Sequence, residues 1–244
     1  MAKASSPGRT KTRLVPPLSP SEAAAFNTAF LQDVAANLLA AGQHAPIDGY
    51  MAYGPPGSEG FFLDHMPRDI GLIETWFPDF GDCLFRAITE LFAAGHAAAV
   101  VLNSDSPTLP TELLVATAEI LLRPGDRAVL GPSTDGGYYL LGIKQAHRRL
   151  FEDIDWSTDR VARQTRARAV ELGLELHELP TWYDVDDSNA LRRLHEELFG
   201  DRSLDAALTP HGAPRTAALL RHLMATSDLQ TRLGLLRRLD RLAS

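Results

Sequence analysis

Apolar residues along the chain recur at helical spacing, and these stretches alternate with short runs of the strand type. The first long helical pattern opens at Ser19, with Pro20 behind it and Glu22 three residues on, and it runs to Ala41 before Gly42. Ser followed by Pro and a Glu at the third position is a capping box with proline at the first helical position. Residues 47–53 read as a strand closed by Gly54-Pro55-Pro56-Gly57, followed by a short helix near 58–65 and a strand near 70–76. Residues 81–94 are helical in pattern and Gly95 ends them. The apolar run Ala98-Ala99-Val100-Val101-Leu102 stops abruptly at Asn103-Ser104-Asp105-Ser106-Pro107. A short β-branched run bounded by turn residues reads as a buried strand. Ser106, ahead of a proline, is held extended, so no helix starts there. A helix over 110–122, a strand over 127–131, a turn at 132–137 and a strand over 138–143 follow. Helices near 145–151 and 158–172, a strand over 174–179 and an amphipathic helix over 187–199 complete the series. Strands separated by helical stretches imply an α/β sheet with mostly parallel strands.

The pattern changes after Gly200. Residues 203–213 are loop-like, and over 214–242 leucines at 219, 220, 223, 229, 233, 236 and 239 fit one or two amphipathic helices. The expected division is a domain over 1–200 and a basic helical extension over 201–244. Those helices would dock on the body or on a second copy, making a homodimer; a basic face for a membrane or an acidic partner is the alternative. Charge follows the same boundary. Residues 214–244 carry six arginines against Asp228 and Asp240, a net +4, which leaves −11 elsewhere from a total of −7.

Composition narrows the class. The 244 residues are 45% hydrophobic and 23% charged, as in globular domains. No apolar stretch approaches the ~20 residues of a membrane span, the basic N-terminus lacks the apolar core of a secretory signal, and net negative charge argues against nucleic-acid binding. The single cysteine, Cys83, excludes an internal disulfide and fits a reducing, cytoplasmic setting.

Three acidic and basic groupings carry candidate chemistry. Asp105 stands at the mouth of a strand, where open α/β sheets bind ligands; it would hold a metal ion on a phosphate, or else cap its loop. Asp184-Val185-Asp186-Asp187 points Asp184 and Asp186 to one side, and like charges so close require a cation nearby. With Asp105 they offer oxygen ligands suited to Mg²⁺ or Mn²⁺, although Asp186 or Asp187 would also serve as a helix cap. Lys3, Arg9, Lys11 and Arg13 surround Pro7-Gly8, and point charges with freed N–H groups suit a polyphosphate. Neither the Walker spacing nor GxGxxG is present. Asp135-Gly136-Gly137 is a hairpin turn signal, but it precedes Tyr138-Tyr139, whose hydroxyls on opposite faces cannot both enter one core. Trp156 would stack on a ligand, while Ser157 or Thr158 would cap the next helix. The eight histidines form no metal pair, and Gly131-Pro-Ser-Thr-Asp135 lacks the second glycine of a nucleophile elbow.

In this order, Lys3-Ala4…Pro7-Gly8-Arg9…Lys11-Thr12-Arg13-Leu14, Gly81-Asp82, Asp105-Ser106-Pro107, Gly131-Pro132…Asp135-Gly136-Gly137-Tyr138-Tyr139-Leu140, Trp156-Ser157-Thr158 and Asp184-Val185-Asp186 resemble a family of bacterial proteins. The family is formerly a domain of unknown function (DUF2064) of glycosyltransferase-A-like (GT-A) fold, whose members are assigned as glycosyltransferases, some to arsenosugar biosynthesis. More distantly the chain resembles phospholactate guanylyltransferases, which carry Gly-Thr-Asn where this chain has Gly137-Tyr138-Tyr139. The resemblance covers residues 1–200. It implies a Rossmann-like, three-layer nucleotide-diphospho-sugar transferase fold with a mostly parallel mixed sheet. Lys3, Gly8, Lys11 and Arg13 would bind nucleotide phosphates, and Asp105 and Asp186 would hold Mg²⁺ or Mn²⁺. Asp135, Gly136, Gly137, Tyr138 and Trp156 would line the sugar or acceptor side, with Asp105, Asp135 and Asp184 in catalysis. Two departures stand out. The family has glycine where Asn103 stands, and asparagine tolerates the left-handed backbone. A hydrophobic strand normally precedes the phosphate loop, whereas here Met1-Ala2 does, as a late-assigned start would give. Residues 1–4 are therefore expected to form at most a strand stub. The leading expectation is a metal-dependent glycosyltransferase acting on a nucleotide sugar and a small acceptor. Its rivals are a nucleotidyltransferase acting on a nucleoside triphosphate and a non-catalytic binding protein.

Overall fold

A computed structural model of the chain describes residues 1–200 and 208–235. The expected leucines at 236 and 239 and the first part of the 203–213 loop lie outside the described residues. Among the described residues seven strands form two sheets. β1 (Ala2–Lys3), β2 (Tyr50–Gly54) and β3 (Gly71–Glu74) make a parallel sheet in that order. β4 (Ala99–Leu102), β5 (Arg127–Pro132), β6 (Tyr138–Ile143) and β7 (Glu175–Glu178) make a second sheet ordered β4-β6-β5-β7. β6 is antiparallel to both neighbours and β5 is parallel to β7, so β4, β5 and β7 run one way.

The split into two sheets was not visible in the hydrophobic pattern. It follows from the length of β1, the expected stub, which pairs only with Tyr53 and Gly54. The remaining edge of β2 faces an apolar cleft of about 400 Å³ whose far side is β4; Leu38, Met51, Val101 and Leu114 are among its lining residues. The Met1 ammonium bridges to the Leu102 carbonyl at 2.9 Å.

Helices cover both faces. α1 (Pro20–Ala41) begins with the expected capping box: the Glu22 amide donates to the Ser19 hydroxyl and the Ser19 amide to the Glu22 carboxylate. With α4 (Thr111–Leu122), Val129 and Tyr139 it builds one core; α3 (Phe80–Ala93) and α5 (Val161–Glu171) build the other, on Ala99, Val101, Leu130 and Leu141. Alternate residues of β4 and β5 thus enter opposite cores, as a sheet covered on both faces requires. Each fully buried Leu, Ile or Phe contributes roughly 1.5–3 kcal/mol. A smaller core under β1–β3 uses α2 (Glu59–His65), with Phe62 and Tyr53. The helix expected near 145–151 is a 3-10 turn, Arg148–Phe151, and α5 starts three residues later than the pattern implied. Cys83 is buried in α3.

Beyond α6 (Ser188–Phe199), α7 (Pro214–Thr226) and α8 (Leu229–Arg232) pack Leu220, Leu229 and Leu233 into the α1–α4 core of the same chain. Buried Asp33 of α1 accepts from the Arg215 and Thr216 amides, giving α7 the N-terminal acceptor its own cap position, Ala213, lacks. Arg232 grips Glu22 through both guanidinium nitrogens. Among the described residues no helix is long and apolar enough to cross a membrane.

Candidate functional site

The site lies where the loops leaving β1, β4, β5 and β7 meet. The loop after β1 is braced from within and below. Ser6 and Thr10 exchange hydrogen bonds, and the Asn27 amide of α1 donates to the Lys3 carbonyl at 3.0 Å and the Ser5 hydroxyl at 2.8 Å. Gly8 (φ +73°) and Lys11 (φ +50°) both take left-handed backbone. That reversal starts a 3-10 turn, Thr12–Leu14, anchored by fully buried Leu14. Its effect is to divide the basic residues. Lys11 turns inward with its side chain 6% exposed, while Arg13 stays 73% exposed and Lys3 reaches only to the Arg9 carbonyl.

Two of the expected metal ligands converge, and Lys11 stands between them. Its ammonium lies 2.8 Å from Asp105 Oδ1, 2.8 Å from Asp186 Oδ1 and 3.0 Å from the Val185 carbonyl. Arg13 adds a looser contact to Asp186 at 3.6 Å. The loops carrying the carboxylates are laced together: the Val185 amide donates to the Asp105 carbonyl, and the Ser106 hydroxyl to the Tyr183 carbonyl. Asp187 takes the capping role, accepting from the Asn189 and Ala190 amides and leaving Asp186 for the site. Burial alone would depress the Lys11 ammonium, but Asp105 and Asp186 outweigh it and raise its pKa. Burial would likewise raise Asp186, and Lys11 with Arg13 lowers it instead. Lys11, expected at the nucleotide phosphates, therefore occupies the meeting point of the carboxylates. An all-oxygen set of two carboxylates and a carbonyl suits a hard divalent cation in kind, and the ammonium meets the same three oxygens. Among the described residues no group of three or more His, Cys, Asp or Glu side chains is disposed to hold a metal.

Asp184 takes another position. Its carboxylate accepts from the Ser133 hydroxyl at 2.9 Å, and burial, followed by the charges of Asp135 and Asp186, pushes it up to about 6. Asp135 closes the β5–β6 hairpin by accepting from the Gly137 amide at 2.8 Å. Gly136 (φ +89°) is needed there because a Cβ would lie 2.2 Å from the Asp159 carbonyl oxygen of the next loop.

The adjacent tyrosines enter different cores, as the expectation that one core could not take both hydroxyls requires. The register slips at Gly131/Pro132, so that Pro132 pairs with Tyr138 and Gly131 with Leu140, and Tyr139 becomes the bulged residue. Tyr139 is fully buried on the α1–α4 side and donates to the Pro180 carbonyl, whereas Tyr138 packs beside the other core, its hydroxyl buried without a partner among the described residues. Trp156 meets Tyr138 and the half-exposed Phe80 edge to face, forming an aromatic cluster beside the β5–β6 hairpin. The helix after it is not capped by Ser157 or Thr158: α5 follows Arg160, whose amide donates to the Thr158 hydroxyl ahead of the helix. Asn103 does not adopt left-handed backbone. Its side-chain amide instead donates to the Ser106 hydroxyl at 3.1 Å and braces the loop. Ser133, Asn27 and the Val185 carbonyl are the site residues that motif reasoning missed. Carbonyls carry no sequence signal, Ser133 sits inside the Gly131–Asp135 turn where a serine looks like ordinary turn chemistry, and Asn27 falls in mid-helix where spacing does not single it out.

A family described as "Uncharacterized protein conserved in bacteria (DUF2064)" matches residues 37–158, a span that holds Asp105, Asp135 and Trp156. The chain is also similar to a protein of Desulfovibrio desulfuricans G20, provisionally assigned as a nucleotide-diphospho-sugar transferase and known from a 1.90 Å crystal structure. The two are 28% identical, with a TM-score of 0.75, over 92% of this chain and 93% of that one. No curated protein matches the sequence.

Proposed function

The chain belongs to the bacterial DUF2064 family, and from that premise we propose that it is a metal-dependent glycosyltransferase of GT-A type, moving a sugar from a nucleotide-diphospho-sugar to a small acceptor. The observation that carries the reading is the convergence of Asp105, Asp186 and the basic loop at one point, where a leaving diphosphate would require neutralisation. Asp105 and Asp186 would hold Mg²⁺ or Mn²⁺, which when bound supplies positive charge against the departing diphosphate. Arg13, exposed beside them, and Lys3 with the turn at Gly8 contact phosphate oxygens. Asp184, poised near neutrality, accepts the proton of the acceptor hydroxyl, since a base works best with a pKa near the working pH. The Asp135 hairpin, Gly136, Gly137, Tyr138 and Trp156 form the acceptor side.

Nucleotidyl transfer is the second reading, favoured by the Lys11-Thr12-Arg13 loop. Both are tested by incubating the protein with nucleotide sugars and with nucleoside triphosphates, with and without Mn²⁺. Nucleoside diphosphate released from a nucleotide sugar supports sugar transfer. Pyrophosphate released from a triphosphate, with no diphosphate formed from any sugar donor, overturns it in favour of the second reading. Absence of any nucleotide or nucleotide-sugar binding overturns both.

A further inference from the structure

We infer that Lys11 is the resident cation of the carboxylate site and a gate on it: the ammonium holds the place between Asp105 and Asp186 until a nucleotide diphosphate draws it off, so divalent metal binds after nucleotide. This rests on the metal-dependent reading above. An ammonium has three N–H donors, and all three are used, on Asp105 Oδ1 at 2.8 Å, Asp186 Oδ1 at 2.8 Å and the Val185 carbonyl at 3.0 Å. The side chain is 6% exposed against 30% and 32% for the two carboxylates, so the ammonium forms the inner wall and the carboxylates the outer one. Behind it the Phe30 ring lies 5.4 Å from the nitrogen, closing the pocket with a face that favours a cation.

A divalent ion placed between Asp105 Oδ1 and Asp186 Oδ1 would meet the ammonium at ligand distance, where like charges repel strongly in a site of low dielectric. That position therefore opens only as Lys11 departs. The residue takes left-handed backbone between the Gly8 turn and the 3-10 turn anchored by Leu14, so its side chain can swing between the carboxylates and the Arg13 side while the loop stays braced. An arriving diphosphate offers the ammonium new anionic partners next to Arg13. It also removes the ammonium from Asp105 and leaves Asp186 with only the looser Arg13 contact, which raises the pair's affinity for a divalent ion. The site thus discriminates between bare metal and metal accompanied by nucleotide.

The test is Mn²⁺ binding, followed by the loss of the free-ion paramagnetic resonance signal, on the full chain with and without a nucleoside diphosphate (UDP and GDP tried separately). Measured against nucleotide alone at the same concentration, which accounts for Mn²⁺ held by the diphosphate itself, the wild type is expected to bind Mn²⁺ at least about tenfold more tightly with nucleotide than without it, since the ammonium-free state is the competent fraction. Lys11→Met, and Lys11→Gln should the methionine variant melt early, is expected to bind Mn²⁺ alone at least about tenfold more tightly than wild type. Wild-type affinity that is equal with and without nucleotide, or equal to that of the Lys11 variants, overturns the gate while leaving the metal site standing. Failure of every protein to bind Mn²⁺ even with nucleotide overturns the metal reading itself.

Discussion

The two halves of the molecule hold opposite charges in opposite ways. In the β4–β7 half, the central strands β5 and β6 are buried over nearly their whole length, and the carboxylates hang from the ends of that frame. Each is buttressed: Asp105 through its carbonyl by the Val185 amide, Asp184 by Ser133, and their neighbour Asp187 by the start of α6. In the β1–β3 half, β1 has two residues and β3 four half-buried or exposed ones, and the basic loop is tied down by side chains rather than by a ladder. The anionic side is part of the scaffold and the cationic side is suspended from it. Fixed charge where charge develops and movable charge where a ligand must enter is the arrangement that a preorganised transferase site requires.

The largest effects should come from breaking the scaffolded charges. Asp105→Asn or Asp186→Asn is expected to lower kcat/KM for nucleotide-sugar turnover by about 100-fold or more. Asp187→Ala, one residue away, is expected to cost about 1 kcal/mol of stability as a lost cap while keeping most turnover; equal losses of turnover from both positions would erase the contrast. On the suspended side, four β-branched residues fused ahead of Met1 should extend β1 along the cleft between β2 and β4. Thermal and urea melts are expected to show a gain of about 2 kcal/mol after the ordering cost is met, and an unchanged midpoint would mean that the cleft does not accept a strand.

The third effect is one of pH. The fold raises Asp184 from 3.8 to about 6, so it binds a proton more tightly than the unfolded chain does. The stability it contributes is therefore complete below 3.8 and declines as pH rises through about 6. Asp184→Asn should stabilise the protein at pH 7 by on the order of 1–2 kcal/mol and abolish the acidic limb of the rate profile near 6. A limb that survives the substitution assigns the proton elsewhere. The smallest effect concerns the tail. Arg232 lowers Glu22 to about 2, so this contribution is present above 4.5 and is lost as pH falls towards 2. Because the pair is partly exposed, Glu22→Gln should cost about 1 kcal/mol at neutral pH and flatten the acid side of the melting curve.

Most elements could be read from the chain because their signals are local: the capping box at Ser19, the turn at Asp135, the apolar run into Asn103. Asp105 and Asp186 could be paired in advance because each follows a strand. The position of Lys11 could not be, since it depends on a left-handed residue that is not glycine. Nor could the Tyr139 bulge, a register slip that leaves periodicity unchanged on either side. The two-sheet split was hidden for a different reason: hydrophobic runs report burial and not hydrogen-bonded partners, so β2 and β4 look complete although, among the described residues, β1 covers only Tyr53 and Gly54 of β2 and β4 is paired on one side alone.

Helix α1 carries three polar side chains that its burial would seem to forbid, and each ends on a different part of the molecule. Asn27 holds the Lys3 carbonyl, Asp33 the first amides of α7, and Asn37 the Leu109 carbonyl and Thr111 hydroxyl just past the Asp105 loop. The helix is a common datum line for the cation loop, the carboxylate loop and the C-terminal helices. Because the helix anchors both loops, a tilt forced on it from the tail would be read out at the ion pair.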